Sequence, residues 1–309
     1  MSTNPIPLYL ISGFLGSGKT SFLKNILEKL GDSKKIGIVQ NEFSSINVDS
    51  KILAESKRTF SILEVNKGSV FCLCLLNDFI PSLSNFIDVG QPDAIFIEAT
   101  GLSDPMAIIQ MVNSPFLSSR VRFAKAYTII DGYMFEKQIK MLKSVSNQIK
   151  IADTILINKC DKIGSEDSVA VANQVKEYNP FCNILFTEYA NLPDSEIEFI
   201  RSNSGSAQAL SNLKVDECNP LSSPPDIRVD TFSTTKRISK ENLERLAELL
   251  KPLIRAKGFV RSGDGSNWAL QAVSGDISFR EYNSPLLRSE MVFFGDGLNI
   301  KLVNKLFQL

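Results

Sequence analysis

Residues 7–20 read PLYLISGFLGSGKT, an apolar run that leads into a loop with three glycines and the pair Lys19-Thr20. Apolar residues then recur at helical spacing, at Phe22, Leu23, Ile26, Leu27 and Leu30, and Gly31 stands at the expected end of the helix. A strand, a glycine-rich loop and a helix in this order are the setting that a GxxxxGK[ST] phosphate-binding loop needs. The segment therefore predicts a P-loop domain of the α/β class.

The glycine-rich loop has the chemistry of an anion site. Its glycines let successive backbone N–H groups point inward, and the helix that follows adds the positive end of its dipole. Lys19 would reach the terminal phosphates as a catalytic residue, and the Thr20 hydroxyl would bind Mg²⁺. The residues predicted to hold the nucleotide phosphates are Gly13, Gly16, Ser17, Gly18, Lys19, Thr20 and Ser21. The alternative is a glycine-rich turn with a chance lysine, and the flanking strand and helix argue against it.

Further apolar runs alternate with helical patterns along the first 200 residues. They cover residues 36–41, 94–98, 126–131, 154–158 and 183–187. Strands this apolar on both faces belong in a mainly parallel, doubly wound sheet that binds its ligands at the carboxyl ends of the strands. The functional residues should therefore lie where strands end.

A change of composition divides the chain. Residues 201–225 are rich in Ser, Asn, Pro and Gly, which is typical of a linker. We predict a P-loop domain at 1–200, a linker at 201–225 and a smaller α+β domain at 226–309. Its predicted strands lie near 227–232, 258–261, 268–273 and 291–294, with a leucine-rich helix after the first and a helix at the end.

The run at 94–98 is flanked by two acidic residues, Asp93 and Glu98. A P-loop enzyme needs a carboxylate at the end of a strand beside the phosphate loop, and five residues of strand span roughly 16 Å, so only one can serve. Glu98 is the predicted catalytic carboxylate and Mg²⁺ ligand. Gly101 follows in a turn that could approach the γ-phosphate.

A second nucleotide motif ends the run at 154–158. Asn158, Lys159 and Asp161 form an NKxD quartet about Cys160. An aspartate can accept the N1–H and 2-amino protons of guanine, which adenine does not offer, while the lysine stem lies along the base and the asparagine holds the loop. The quartet alone could be a helix-capping loop, but its position predicts that the nucleotide is GTP or GDP.

Two cysteines suggest a second metal. In an extended segment Cys72 and Cys74 would share a face and could present two thiolates to Zn²⁺ or a similar ion, with Glu42 as a third ligand. The alternative is that both are small buried hydrophobic residues. The other three cysteines are expected to be structural.

Composition limits the remaining roles. The 309 residues carry 34 basic and 34 acidic side chains, so we expect no nucleic-acid partner. The chain has no histidine, so an imidazole can serve neither as a general base nor as a metal ligand. No apolar run reaches the roughly 18 residues of a membrane span, and no signal peptide begins the chain, so we expect a cytoplasmic protein without a membrane partner.

Taken together, the 13–20 loop, Asn41-Glu42-Phe43, the Cys72–Cys74 segment, residues 98–105 and the NKxD quartet closely resemble the CobW-type family of metal-trafficking GTPases. The tail extends the likeness, through residues 255–259, Trp268 and the closing 292–295. The resemblance implies a slow, Mg²⁺-dependent GTPase related to HypB and UreG, working as a monomer or a nucleotide-dependent homodimer. It also implies a transition-metal site, with Zn²⁺ or Co²⁺ as cargo for a client metalloenzyme or cofactor-biosynthesis protein.

The chain departs from this pattern in two ways. The family typically has Gly-Cys-x-Cys-Cys, whereas residues 68–74 read GSVFCLC, with one thiol fewer. Histidine-rich storage stretches are absent because the chain has no histidine. The absence of histidine argues against metal storage and favours a low-capacity site that relies on thiolates.

Two other functions remain open from the residues. One is a nucleotide-gated assembly factor that binds a client protein without metal. The other is a small-molecule P-loop kinase, which would need clustered arginines over its phosphates. Arg58, Arg120 and Arg122 are too scattered in sequence to predict such a lid.

Overall fold

The computed structural model describes residues 5–41, 60–65, 76–99, 105–112, 117–203 apart from 142, and 229–307 apart from 254, 274, 284 and 296. The chain divides into two compact units, Met1–Ser223 and Pro224–Leu309. In the described residues, no helix is both long enough and apolar enough to cross a membrane.

The first unit is built on a seven-stranded sheet in the order β3-β2-β4-β1-β5-β6-β7. All of its strand pairs are parallel. The strands are β1 (Ile6–Ser12), β2 (Ile36–Asn41), β3 (Phe60–Val65), β4 (Ala94–Glu98), β5 (Val121–Asp131), β6 (Thr154–Asn158) and β7 (Asn183–Phe186). This arrangement confirms the predicted doubly wound P-loop sheet.

Helices cover both faces of this sheet. They are α1 (Lys19–Leu30), α2 (Leu76–Gly90), α3 (Pro105–Val112), α4 (Phe135–Met141), α5 (Lys143–Ile151), α6 (Ser165–Tyr178) and α7 (Asp194–Ser202). On one face α1 and α7 bury their apolar residues against Tyr9, Phe96 and Tyr127. On the other, α4, α5 and α6 pack against Ile130 and Ile155. Central strands are thus buried on both sides, which is why they read as continuous apolar runs.

Two strands of the first unit differ from the sequence-based prediction. Strand β3 was missed because Ser61 and Glu64 interrupt its apolar pattern, and it pairs only with β2 at the edge of the sheet. The NKxD quartet consequently follows the sixth strand and not the fifth. Strand β5 begins at Val121 and not near 126, because Arg122 and Lys125 disguise its first half. Their charges are met by Asn203 and Glu196 of the first unit.

The second unit is a five-stranded antiparallel sheet in the order β11-β10-β9-β12-β8. Its strands are β8 (Val229–Thr234), β9 (Arg255–Arg261), β10 (Asn267–Val273), β11 (Asp276–Glu281) and β12 (Ser289–Phe294), and its helices are α8 (Lys240–Leu250) and α9 (Ile300–Leu306). The predicted α+β class is confirmed, and β11 is an additional strand.

One face of the second sheet buries a hydrophobic cluster with α8 and α9. Ala256 and Val260 of β9 and Met291 and Phe293 of β12 alternate toward it, as the period of a strand requires. Trp268 of β10, paired in register with Val260, packs against the same cluster. The smaller unit therefore has a core of its own.

Candidate functional site

The loop between β1 and α1 has the backbone of an anion cradle. Gly13, Gly16 and Gly18 all have positive φ angles, of 142°, 77° and 114°. A Cβ at Gly13 would collide with the carbonyl oxygen of Ile129, and one at Gly18 with the side-chain amide of Asn158. Glycine is therefore required at 13 and 18 both by conformation and by space.

Lys19 opens α1 and turns back over this loop. Its side chain is only 8% exposed, and its Nζ donates to the carbonyl oxygens of Gly13 at 3.0 Å and Phe14 at 3.4 Å. Burial lowers the pKa of the Lys19 amine, while the nearby Glu98 carboxylate acts in the opposite direction. The Lys19 amine is thus a buried group that lies against the phosphate loop, where it could donate hydrogen bonds to phosphate oxygens.

Two hydroxyl groups of the loop are also placed for a guest. Ser17 is buried, and within the described part of the chain its Oγ has no hydrogen-bond partner. Thr20, the second residue of α1, is half-buried. A buried hydroxyl group without a partner, in a loop with three glycines of positive φ, fits an oxygen-rich anion better than a plain turn.

Glu98 ends β4 directly beside the loop. In register it pairs with Ile11 of β1 on one side and with Gln40 of β2 on the other. The Nε2 of Gln40 donates to Glu98 Oε2 at 3.0 Å, which fixes the carboxylate. A carboxylate and a hydroxyl group are the kinds of hard oxygen donor that suit Mg²⁺, and Glu98 and Thr20 are therefore the candidate ligands.

Asp93 directly precedes β4 and lies at the amino-terminal ends of the strands, opposite the phosphate loop. Its Oδ2 accepts a hydrogen bond from the backbone N–H of Lys35 at 2.8 Å. Of the two acids that flank β4, only Glu98 is therefore brought to the phosphate loop. Gln40, which the sequence reading did not use, is a neighbour that only the strand register could reveal.

A chain of buried hydroxyls supports the end of β1. Ser12 Oγ lies 2.8 Å from Thr128 Oγ1 of β5, and Thr128 Oγ1 donates to the backbone carbonyl of Gln148 at 3.0 Å. All three residues are buried. The last residue before the phosphate loop is thus fastened to β5 and α5.

Asn158, the last residue of β6, joins two loops. It is 2% exposed, and its Nδ2 donates to the backbone carbonyl of Ser17 in the phosphate loop at 2.8 Å. Its Oδ1 accepts from the backbone N–H of Ala190 at 2.8 Å and from Thr187 Oγ1 at 3.3 Å. One amide therefore holds the phosphate loop and the loop after β7 in a fixed relation.

The other two members of the quartet lie at the surface end of this strand. Lys159 has a left-handed backbone, with φ 65°, and its Nζ lies 2.6 Å from Asp131 Oδ2. Asp161 stands exposed in the short 3-10 helix Cys160–Lys162. The sequence analysis did not predict a role for Asp131. Its position as the last residue of the strand that pairs with β6 indicates that it lies beside the quartet.

The loop after β7 was not predicted as part of the site. Tyr189 and Ala190 have φ angles of 54° and 56°, and two consecutive non-glycine residues in this region are uncommon. Helix α1 holds the loop from below, since Asn25 Nδ2 donates to Tyr189 O at 3.0 Å and Lys29 Nζ to Leu192 O at 2.6 Å. The strained loop is therefore fixed beside Asn158.

Some predicted site residues lie outside the described residues: Glu42, Cys72, Cys74 and Gly101. Of the cysteines that are described, Cys160 donates to the Ile157 carbonyl and Cys182 is buried against the Asn179 carbonyl. Among the described ranges, no group of three metal-ligating side chains comes together.

Comparison with known families matches nearly all of the chain. The nucleotide-binding domain called CobW/HypB/UreG matches residues 7–186. The C-terminal domain of the cobalamin synthesis protein cobW matches residues 227–308.

Individual relatives extend this result. The chain is 31% identical over 197 residues to the zinc chaperone CobW of Sinorhizobium sp, covering 55% of each chain. It is 32% identical over 171 residues to the zinc chaperone YjiA of Escherichia coli (strain K12), covering 54% of this chain and 53% of that one. A zinc-regulated GTPase metalloprotein activator 1 of Schizosaccharomyces pombe is 26% identical over 312 residues, covering 87% of this chain and 75% of that one. The chain spans about half the length of the first two relatives.

A solved structure shares the fold of the entire chain. The Zn(II)-bound YjiA GTPase of E. coli superposes with a TM-score of 0.60 at 22% identity, covering 98% of both chains. A parallel P-loop sheet and a smaller antiparallel sheet in one chain are therefore a known combination of folds.

Proposed function

The chain belongs to the CobW/HypB/UreG family, and from that premise we propose that it is a slow GTPase that carries a transition metal to a client protein. The observation that carries the proposal is the Asn158 side chain, which bonds to the phosphate loop and to the loop after β7. Such a contact lets one rigid frame read the phosphates and the base of a nucleotide together.

In the proposed hydrolysis, Lys19 is the cation that offsets charge on the transferred phosphoryl group. The chain has no histidine, and this charge would be met by the lysine, the loop N–H groups and a metal ion. Thr20 and Glu98 would hold Mg²⁺, which when bound supplies electrostatic stabilisation of the phosphate oxygens. The phosphates themselves would lie against Gly13, Gly16, Ser17, Gly18, Lys19, Thr20 and Ser21, with Gly101 close to the γ-phosphate.

The base of the nucleotide would be read by the quartet after β6. The Asp161 carboxylate, which is exposed, would accept the two donors of guanine. The Lys159 stem would lie along the base plane, and Asn158 would hold the pocket together. An adenine nucleotide offers no matching pair of donors, so selectivity for GTP and GDP follows.

The proposed cargo is Zn²⁺, with Co²⁺ as the second choice. Two curated relatives carry the name zinc chaperone, and thiolates with one carboxylate suit Zn²⁺. Cys72, Cys74 and Glu42 are the proposed ligands. An incomplete set of protein ligands would leave a position from which a receiving thiolate or imidazole could take the metal.

The proposed recipient is a client metalloenzyme or a cofactor-biosynthesis protein, met in the cytoplasm. A relative is named a metalloprotein activator, which supports a protein recipient. We propose that the carrier itself is a monomer or a homodimer that forms with nucleotide.

Measurement of zinc affinity in two nucleotide states tests the proposal. Wild-type protein would be titrated with Zn²⁺ in the presence of GDP and of a non-hydrolysable GTP analogue, and GTP turnover would be followed by phosphate release with Mg²⁺. Binding is reciprocal, so a change in zinc affinity between the states requires an equal change in nucleotide preference with zinc, of about 5- to 150-fold.

The matched variants change cysteines of two kinds. Cys72→Ser with Cys74→Ser should erase the coupling but leave GDP affinity without zinc intact. Cys182→Ser is the control, because a serine hydroxyl can keep the hydrogen bond to the Asn179 carbonyl. Equal zinc affinity in wild type and double variant would contradict the metal role and favour the metal-free assembly factor.

The kinase alternative is disfavoured by two of the three arginines considered for its lid, Arg120 and Arg122; the third, Arg58, lies outside the described residues. Arg120 pairs with Asp88 and Arg122 with Asn203, and both lie at the start of β5, away from the phosphate loop. Their guanidinium groups are thus occupied at the opposite edge of the sheet. Absence of phosphorylated small-molecule product from a metabolite mixture would complete the exclusion.

A further inference from the structure

We propose that Asp131 is a positioning residue for recognition of the nucleobase: its carboxylate fixes the side chain of Lys159 before a nucleotide arrives. The inference rests on the proposed guanine-nucleotide function and adds a residue outside the NKxD quartet. Asp131 would not touch the nucleotide; it would act through the lysine.

The strand register brings the two residues together. Asp131 is the last residue of β5, and it pairs with Asn158, the last residue of β6. Lys159 therefore begins its loop one residue beyond the Asp131 level, and its Nζ lies 2.6 Å from Asp131 Oδ2. The carboxylate side chain is 8% exposed and the lysine side chain 28%.

The second oxygen of Asp131 is occupied by the backbone. Oδ1 accepts from the N–H groups of Tyr133 at 3.1 Å and Met134 at 3.3 Å, in the turn just before α4. The intervening Gly132 donates from its backbone N–H to Asn158 O at 3.0 Å. Rotation of the carboxylate away from Lys159 would therefore break backbone hydrogen bonds, so its direction is set by the fold.

A fixed carboxylate changes what the lysine can offer. Lysine ordinarily loses much rotamer freedom when it is ordered by a ligand. Here its backbone is already left-handed and its amine is already bound by a charge partly withdrawn from water, where the attraction is stronger than at the surface. The lysine would therefore present its methylene stem to the base without having to be ordered first, which favours binding.

This geometry predicts that the two side chains act as one unit. Removal of the Lys159 amine leaves the shielded Asp131 charge without its partner, and removal of the Asp131 charge frees the lysine. Loss of both removes the same positioned lysine only once. Single replacements should each be harmful, and the double replacement should be little worse than either.

A double-mutant cycle with GDP tests this unit. The variants are Asp131→Asn, Lys159→Met and their combination, and the readout is GDP affinity by calorimetry. Asparagine keeps an oxygen that can accept from Tyr133 and Met134, and methionine keeps most of the stem. Each single variant should weaken GDP about tenfold, and the combination also about tenfold, instead of the roughly hundredfold expected of independent residues.

Two controls separate positioning from stability. Asp93→Asn removes a carboxylate that also accepts a backbone N–H but lies at the opposite edge of the sheet, and it should leave GDP affinity unchanged. Inorganic pyrophosphate, which has no base, should bind all variants equally. Equal losses of GDP and pyrophosphate affinity would overturn the inference, since they would mean a damaged fold.

The outcomes also distinguish this inference from the function on which it rests. If wild type binds GDP and Asp131→Asn binds it equally well, or if the two losses multiply, the inference is wrong and the proposed GTPase stands. If wild type binds no guanine nucleotide, the proposed function is wrong and the inference falls with it.

Discussion

Single residues of the nucleotide site already have partners within the protein. Lys19 lies on loop carbonyls, Glu98 accepts from Gln40, and Asn158 joins two loops. Donors and acceptors that are held in advance lose less freedom when a ligand arrives. The frame is therefore prepared for a nucleotide, and replacement of a supporting residue should be felt through the residue it holds.

Lys19 should give nucleotide affinity an unusual dependence on pH. Burial lowers the pKa of its amine, and phosphate requires the charged form. GDP affinity should therefore fall with rising pH at lower pH than an ordinary lysine would cause, approaching about tenfold per pH unit once the amine is neutral. Calorimetry between about pH 7 and about pH 10 checks this. Lys19→Ala should lose both the pH dependence and all GTP turnover; retained turnover would contradict the role of the loop.

Asp161 should determine the choice of base. In Asp161→Asn an amide donor would face the 2-amino group of guanine, so GTP should bind at least about tenfold more weakly. A xanthosine nucleotide, which offers an acceptor there, should gain. Competition between the two nucleotides measures the exchange, and unchanged GTP affinity would place base recognition elsewhere in the chain.

Gln40 should act on the metal step of hydrolysis. Gln40→Met removes the hydrogen bond to Glu98 and should raise the Mg²⁺ concentration for half-maximal turnover about fivefold, in line with roughly 1 kcal/mol for one such bond. GDP affinity without Mg²⁺ should not change. Magnesium titration of turnover and calorimetry without magnesium separate the two effects. Equal losses in both would indicate general damage to the sheet.

At the scale of elements, the phosphate loop depends on its fit against β5. Gly13→Ala would combine a left-handed backbone with a collision against the Ile129 carbonyl, and should destabilise the first unit by about 2 kcal/mol or more. Gly164→Ala is the matched control, since Gly164 has φ −66° and no atom near its missing Cβ. Chemical denaturation of both variants measures the difference. Similar stabilities would show that the loop relaxes at no cost.

The elements that sequence could predict are those whose signal is local. The phosphate loop, the quartet and the central strands each declare themselves within ten residues. Strand β3 does not, because an edge strand needs one neighbour and few apolar residues. Lys125 interrupts the apolar pattern in the first half of β5. Its amine donates a hydrogen bond to Glu196 of α7, which lies 71 positions later in the chain. No local pattern carries such a contact.

The candidate site likewise contains residues that local sequence patterns predict and residues that only long-range contacts reveal. The quartet and the glycines were evident as motifs, whereas Asp131, Gln40 and the loop at Tyr189 enter the site only through strand register and helix packing. Each is an ordinary residue in sequence. Its meaning depends on which strand lies beside which.

At the scale of the molecule, the stability of the first unit should fall in alkali for a definable reason. Burial raises the pKa of Tyr9 to about 12, and the same cause raises the pKa of Tyr127 well above its usual value. The folded state thus retains protons that the unfolded chain loses above about pH 10. The contribution of Tyr9 is complete below that pH and is lost as pH rises through its folded value.

Tyr9→Phe should remove this contribution. Its free energy of unfolding should decline less steeply than that of wild type between about pH 10 and about pH 12, by about 2–3 kcal/mol in all. Denaturant titrations at several pH values measure the two slopes. Parallel slopes would mean that the Tyr9 phenol titrates normally in the folded protein.

Trp268 is the one tryptophan of the chain, and it packs, partly buried, against the hydrophobic cluster of the second unit. Excitation at the long-wavelength end of protein absorbance would therefore produce fluorescence from Trp268 in the second unit, and almost none from the tyrosines of the first unit. A melting curve followed by this emission would report the unfolding of the second unit. A change in the wavelength of Trp268 emission when nucleotide is added would show that the second unit responds to nucleotide.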